Sequence, residues 1–229
     1  CHHPAAFLCG LLNSQPMGFY SPSMLVQDAR RHGVVVLPPD VTASDWDSRV
    51  DPDGAVRLGL REVRGLTREA AERIAAVDRR KQPFFSIAEL VARAALTRHD
   101  LDLLADGDAL QNLAGHRRHA AWLASAQKIA SPVQGDLFAG QPPREAAPGL
   151  PAPSEGENLV ADYRSLGLTL RRHPLNLLRP QLAARRFVKA ADLALAGNHA
   201  LIRAAGIGEV VESRVLLSAH AGSGITEGG

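Results

Sequence analysis

The sequence predicts a mainly α-helical fold with a small α/β region near its start. Short apolar stripes with the spacing of a helix face recur between residues 61 and 129 and again from residue 154, and several follow a Ser or Thr that can cap a helix. Val34–Leu37 is a β-branched run between glycine and proline, which predicts a short strand paired with Arg57–Leu60. Because helices this short are unstable alone, we expect them to pack on one another.

Capping residues, prolines and glycines indicate where the helices begin and end. Proline at the first position predicts helices over residues 4–12 and 22–32, the second capped by Ser21 and stopped by Gly33. Further helices are predicted after Thr67, after Ser86, from Thr97 to Gly107, over 116–129 and over 154–167. Residues 139–153 hold five prolines and two glycines, so they are predicted to form a partly extended linker.

Composition is that of a globular protein and does not by itself select a partner. Of 229 residues, 45% are hydrophobic, which is enough to build a core. The chain has 26 Lys and Arg against 24 Asp and Glu, so its average charge does not indicate nucleic-acid binding. Only three of those 26 are Lys; the Arg fork suits phosphate contacts, but a GC-rich genome gives the same bias. Residues 163–191 have six Arg, one Lys and no acidic residue.

The two cysteines, Cys1 and Cys9, indicate a reducing compartment, and we predict a cytoplasmic protein. No stretch approaches the roughly 20 apolar residues of a membrane span, so we expect no membrane partner. The spacing of Cys1, His2, His3 and Cys9 fits no structural zinc pattern, and we predict no metal site. Aromatic residues make up 4%, too few for a broad surface of the single-strand-binding type.

The turn Val63-Arg64-Gly65-Leu66 is the first candidate DNA-binding site. A hydrophobic residue, any residue, glycine and a hydrophobic residue running into a helix can direct backbone N–H groups and the helix dipole at a phosphate. This is the arrangement of a helix-hairpin-helix motif, and Arg61, Arg64 and Arg68 would add phosphate contacts. The alternative is an ordinary turn with surface arginines.

A second copy of this arrangement follows about forty residues later. Leu103–Leu110 contains Gly107 and precedes a helix with Arg117 and Arg118, which are further candidate DNA contacts. Its turn carries Asp106 and Asp108, whose carboxylates would repel a phosphate. The second copy is therefore predicted to be mainly structural.

The pentapeptide Gln134–Phe138 is a candidate docking motif. Its exposed Leu137–Phe138 pair next to the linker is typical of a short peptide that binds a partner. Gln134 and the Leu-Phe pair, with Asp136 between them, match the pentapeptide by which bacterial proteins bind the sliding clamp. The alternative is that Leu137 and Phe138 fold back onto the helical domain.

No catalytic constellation is visible in the sequence. It contains neither a G-x-x-x-x-G-K-[ST] phosphate loop nor an H-E-x-x-H or G-x-S-x-G motif. Asp45 and Asp47 have the spacing of paired metal ligands, but beside Trp46 and a turn they are predicted to be capping or solvated groups. We therefore predict no catalytic residue in this chain.

Several long segments together resemble the bacterial C-family DNA polymerases, the family of the DNA polymerase III alpha subunit, and specifically their error-prone, translesion branch. The resemblance covers about residues 1–190 and rests on His2–Leu8, Leu11–Pro22, Asp28–Gly33, Ala43–Trp46, Arg57–Leu66, Gly115–Arg118 and Ala161–Pro174.

The resemblance implies a map of the chain as a C-terminal fragment. Residues 1–56 would be the end of the fingers, 57–130 a tandem helix-hairpin-helix domain, 131–153 the clamp motif and proline-rich linker, and 154–196 a basic helical segment. Residues 197–229 would be a degenerate or truncated start of an oligonucleotide-binding fold, because the expected strands fade after Leu195.

The resemblance also implies a function: template-directed DNA synthesis across lesions, in DNA repair, with magnesium and deoxynucleoside triphosphates as requirements of the full-length family. The polymerising carboxylates of that family lie upstream of the matching region, so this chain alone is predicted to be inactive and to bind no cofactor. Expected partners are duplex or primer–template DNA, the sliding clamp and other translesion proteins. The alternatives are a stand-alone DNA-binding or clamp-adaptor module and a decayed gene.

Overall fold

The computed structural model describes residues 2–79, 81–127, 149–195 and 202–205. The chain divides into two compact units, Cys1–Arg171 and Arg172–Gly229. The first unit holds helices α1 Pro4–Asn13, α2 Pro22–Arg31, α3 Arg68–Ala76, α4 Ile87–Ala94, α5 Arg98–Asp106, α6 Gln111–Ala114, α7 Arg117–Ala126 and α8 Glu155–Ser165, with strands β1 Val36–Leu37, β2 Arg49–Val50 and β3 Val56–Arg57 and a 3-10 turn at Leu60–Glu62. The second unit holds α9 Pro174–Ala184 and a 3-10 turn at Ala190–Leu195. The predicted fold class, mainly α with a small sheet, is confirmed.

Side-chain caps explain where most of the helices begin. Ser21, Thr67, Ser86, Thr97 and Ser154 each accept a hydrogen bond from the backbone N–H three residues later. Such a bond satisfies one of the donors that a helix start leaves unpaired. His116 caps α7 in the same way through its Nδ1.

The sheet has three short strands in the order β1-β3-β2. β3 lies in the centre, parallel to β1 and antiparallel to β2. The strand predicted at Val34–Leu37 is present over its last two residues as β1, and its partner β3 overlaps the predicted Arg57–Leu60 at Arg57. β2 was not predicted, because Arg49 and Val50 have neither the length nor the apolar pattern of a strand.

The hydrophobic core runs continuously from α1 through the sheet into the helices that follow it. Leu12 of α1 and Leu58 and Leu60 after β3 are fully buried, as are Ile74 of α3 and Leu101 of α5. Gly59, between β3 and the 3-10 turn, packs against the backbone of residues 46–48. A Cβ at this position would overlap the backbone carbonyl of Trp46. The 3-10 turn that follows Gly59 is therefore closely packed against the rest of the unit. Among the described residues, no helix combines the length and apolarity needed to cross a bilayer.

Candidate nucleic-acid interface

The hairpin turn, residues 63–67, exposes backbone between two buried apolar anchors. Val63 and Leu66 are buried, at 1% and 6% exposure, while Arg64 and Gly65 between them are exposed. The Leu66 N–H donates to the Val63 carbonyl at 3.1 Å and closes the turn. Gly65 has a φ of +84°, a conformation that costs an L-residue about 1–2 kcal/mol. The glycine therefore sets the shape of the loop.

Helix α3 begins directly after this turn, at Arg68. Thr67 caps the helix by accepting from the Ala70 N–H at 3.2 Å. The N–H groups of Gly65, Arg68 and Glu69 have no acceptor within the described part of the chain. Together with the positive end of the helix dipole, these donors form the kind of site that binds a phosphate.

Two N–H groups of the turn are already used inside the protein. The Arg64 N–H donates to the Ser165 carbonyl at 2.8 Å, and the Leu66 N–H closes the turn as described above. The Arg64 guanidinium reaches the Arg164 carbonyl at 3.3 Å and lies against Gly167. Arg64 is exposed but tied to the end of α8, so the donors available to a ligand lie at Gly65 and the start of α3.

The predicted phosphate-binding arginines differ in how far they are engaged elsewhere. Arg61 is 20% exposed; it pairs with Asp47 at 2.8 Å and donates to the carbonyls of Asn13 and Gln15. Arg68 is 65% exposed and pairs with Glu72 one turn along the helix. The hydrogen bond to Glu72 raises the pKa of Arg68. Arg68, the first residue of α3, is therefore more accessible than Arg61.

The second copy of the motif is packed against the first and against α8. A Cβ at Gly107 would lie 3.1 Å from a methyl group of Val63, and Leu103 of α5 lies beside Gly65. Arg117 is buried and pairs with Asp162 at 2.6 Å, and its other donors reach Asp106 and Asn158. The sequence suggested Arg117 as a DNA contact; we leave it out of the proposed surface because its guanidinium is enclosed by protein acceptors.

Arg118 and Asp108 also make contacts to residues beyond α7. Arg118 is 39% exposed, pairs with Glu157 at 3.1 Å and donates to the Pro151 carbonyl. Asp108 accepts from Arg171 at 2.9 Å. These bonds hold the segment 149–171 against the second copy.

Burial raises the pKa of Asp108, and Arg117 and Arg171 only partly offset this effect. A raised folded-state pKa means that the folded chain holds this proton more tightly than the unfolded chain does. The stability from this group is therefore fully present below the unfolded pKa of about 3.9 and is lost as the pH rises through the folded value.

We therefore expect the wild-type chain to gain stability relative to Asp108→Asn as the pH falls from 7 through the folded pKa of Asp108. Asparagine cannot ionise, and it tolerates the φ of +57° found at this position. Urea unfolding of both chains over a pH series measures the difference. A wild-type chain that loses stability relative to the variant on acidification would show that Asp108 is stabilised in its charged form.

A family model described as a helix-hairpin-helix motif matches residues 33–120. The chain is 72% identical over 206 residues to an error-prone DNA polymerase of Dechloromonas aromatica (strain RCB). It is 56% identical over 211 residues to one from Alkalilimnicola ehrlichii and over 215 residues to one from Azoarcus sp. (strain BH72). The chain is homologous to the error-prone DNA polymerases. These matches cover 90% of this chain and 20% of each relative, so the chain spans about a fifth of the length of these polymerases.

Two further sets of predicted positions are the aspartates with metal-like spacing, Asp45 and Asp47, and the positions that the structure does not describe. Asp45 pairs with Arg49 and Arg79, and Asp47 pairs with Arg61, so both carboxylates are engaged with cations. Within residues 2–79, 81–127, 149–195 and 202–205, no cluster of His, Cys, Asp and Glu could hold a metal ion. The clamp-motif prediction, Gln134, Asp136, Leu137 and Phe138, lies outside the described residues, as do Cys1 and most of 197–229.

The hydrogen-bond acceptors that engage the arginines are not predicted from the sequence. Asp162 was overlooked, although it stands three residues after Leu159 and four before Leu166 on the apolar stripe of α8. A carboxylate on such a stripe is a signal of a buried ion pair, because burial of an unpaired charge is costly. The backbone carbonyls that bind Arg61 and Arg64 have no comparable sequence signal.

Proposed function

We propose that residues 63–69 hold the phosphate backbone of duplex DNA in a polymerase of the error-prone kind. One observation carries the proposal: an exposed glycine turn, anchored by buried Val63 and Leu66, presents free N–H groups at the start of α3. This turn lies within the stretch that matches the helix-hairpin-helix model. Contacts of this kind read phosphates and not bases, so binding is expected to be independent of sequence.

The chain is proposed to bind DNA and to contribute no catalytic residue. Magnesium and deoxynucleoside triphosphates are requirements that the family resemblance implies. The carboxylates with metal-like spacing, Asp45 and Asp47, are engaged with arginines and do not fit a magnesium site. We derive no catalytic step from this chain and assign polymerisation to the longer protein.

We expect Arg68→Ala to weaken duplex binding about fivefold, which corresponds to about 1 kcal/mol. The slope of log affinity against log salt should fall by about 0.9, the value for one phosphate contact. Glu69→Gln is expected to act in the opposite direction, because Glu69 is a carboxylate in the same first turn. Fluorescence anisotropy of the 229-residue chain with labelled duplexes of two unrelated sequences measures these affinities.

Arg98→Ala is the matched control. Arg98 is also the first residue of a Thr-capped helix, and it pairs with Asp102 one turn on, at 2.9 Å, as Arg68 pairs with Glu72. It follows no exposed glycine turn. If Arg68→Ala and Arg98→Ala weakened binding equally, only the total charge would matter, and the hairpin turn would be rejected as the site.

The family resemblance extends the proposal in three directions: repair synthesis across lesions, a cytoplasmic location, and clamp binding through Gln134–Phe138. A stand-alone DNA-binding or clamp-adaptor module is the second candidate, and it uses the same hairpin turn. The reading frame upstream of residue 1 separates the two, because a polymerase requires an encoded palm with paired aspartates and an adaptor does not.

A further inference from the structure

The loop between α1 and α2 displays aromatic side chains to solvent. In this aromatic loop, residues 15–20, Phe19 is 90% exposed and Tyr20 is 56% exposed. Met17 of the same loop is 36% exposed. Exposed apolar side chains grouped in this way are characteristic of a binding surface.

Hydrogen bonds within the aromatic loop fix how the rings are presented. The Gln15 side chain accepts from the Met17 N–H and donates to the Tyr20 carbonyl, both at 3.0 Å. The Phe19 N–H donates to the Met17 carbonyl at 2.9 Å. The rings therefore project from a backbone that is cross-linked by one amide side chain.

A single guanidinium connects the aromatic loop to the hairpin turn. Arg61 donates to the Asn13 carbonyl at 2.7 Å and to the Gln15 carbonyl at 3.1 Å. Arg61 precedes Val63 by two residues, in the 3-10 turn that leads into the hairpin turn. Arg61 thus ties the start of the aromatic loop to the 3-10 turn that leads into the surface proposed to hold duplex DNA.

The aromatic loop carries no negative charge of its own. Residues 1–27 contain no Asp or Glu, and the carboxylate linked to the loop through Arg61, that of Asp47, is paired with the Arg61 guanidinium at 2.8 Å. Every nucleobase has a flat face that can stack on an aromatic ring, whatever the sequence. The bases inside a duplex already stack on each other, so the base that is free to do this is an unpaired one next to the duplex.

We propose that Phe19 and Tyr20 stack on an unpaired nucleobase of the single strand that adjoins the duplex held at residues 63–69. This requires two rings at one position and not the broad platform that the low aromatic content argues against. The inference rests on the proposed function, since the hairpin turn places the duplex. Stacking at this position would let the chain recognise the junction between single- and double-stranded DNA.

The test compares a blunt duplex with the same duplex carrying a single-stranded extension. We expect the wild-type 229-residue chain to bind the extended duplex more tightly, and Phe19→Ala/Tyr20→Ala to reduce that preference roughly fivefold or more. Binding of the blunt duplex should be unchanged by the double substitution. A 2-aminopurine base at the first unpaired position should lose its stacking signal with the variant.

Phe85→Ala is the control, because Phe85 is 80% exposed in a different loop, between α3 and α4. Circular dichroism checks that each variant is folded, as expected for substitutions of exposed rings. If the double variant keeps the preference for the extended duplex, or Phe85→Ala removes it equally, the junction inference is overturned. Failure of the proposed function has a different signature, in which Arg68→Ala leaves blunt-duplex binding unchanged. A wild-type chain that binds neither DNA overturns both.

Discussion

Replacing Asp162 with Ala is expected to lower the free energy of unfolding by about 3–5 kcal/mol, the range found when one partner of a buried ion pair is removed. The Asp162 and Arg117 side chains are 7% and 9% exposed and lie 2.6 Å apart. The second carboxylate oxygen accepts from the Thr169 hydroxyl at 2.7 Å. Without Asp162, the buried Arg117 guanidinium would lose the carboxylate that it hydrogen-bonds, and the Thr169 hydroxyl would lose its acceptor.

The control for this loss is Asp102→Ala. Asp102 pairs with Arg98 at a similar distance, 2.9 Å, but its side chain is 50% exposed. An exposed ion pair contributes about 0–1 kcal/mol, so this variant should unfold at nearly the wild-type urea concentration. Urea titrations followed by circular dichroism give both values. An Asp162→Ala chain within 1 kcal/mol of wild type would mean that Arg117 finds water or another acceptor.

The expected loss of stability in Asp162→Ala also distinguishes the roles of the two copies of the hairpin motif. The first copy has its glycine turn exposed, whereas the second is held by bonds from Arg117 and Arg118 to Asp162 and Glu157 of α8 and by the bond from Arg171 to its own Asp108. A mutation at Asp162 would therefore act on DNA binding only through stability. A mutation at Arg68 should act on DNA binding with the fold intact, and the two phenotypes separate the two copies.

Local chemistry made the first hairpin predictable from the sequence. Thr67 caps α3 because its hydroxyl accepts a hydrogen bond that no helix carbonyl can accept. Gly65 has a positive φ that other residues adopt only at a cost in free energy. Both residues lie in the hairpin turn itself, so the sequence of the turn is enough to predict them. The same holds for α2, where Ser21 and Pro22 fix the start. Elements of this kind are set by neighbours in the chain.

Contacts between distant residues could not be predicted in the same way. Arg61 is held by the carbonyl of Asn13, 48 residues earlier, and the Arg64 N–H by the carbonyl of Ser165, about 100 residues later. A backbone carbonyl is present at every position and gives no sequence signal. Counting arginines therefore does not distinguish Arg61 and Arg64, which donate to protein carbonyls, from Arg68, whose side chain is 65% exposed.

The clamp motif gives the second large expected effect. We expect Leu137→Ala/Phe138→Ala to weaken binding to the bacterial sliding clamp at least about 30-fold, or about 2 kcal/mol, from a wild-type affinity near micromolar. The motif consists of Gln134, which would be hydrogen-bonded through its amide, and an apolar pair that would fill a pocket. Anchors of this kind dominate small interfaces, so removing both should remove most of the affinity.

Calorimetry of the full chain with the cognate clamp measures this affinity. Phe85→Ala is the matched control, because it removes an exposed phenyl ring from the helical unit and leaves the pentapeptide intact. The proline-rich residues 139–153 beside the motif are predicted to let it reach a pocket without distorting the helices. Equal clamp affinity of wild type and the Leu137/Phe138 variant, together with a lowered unfolding free energy of that variant, would place the two side chains in the core. Clamp recruitment would then require another partner protein.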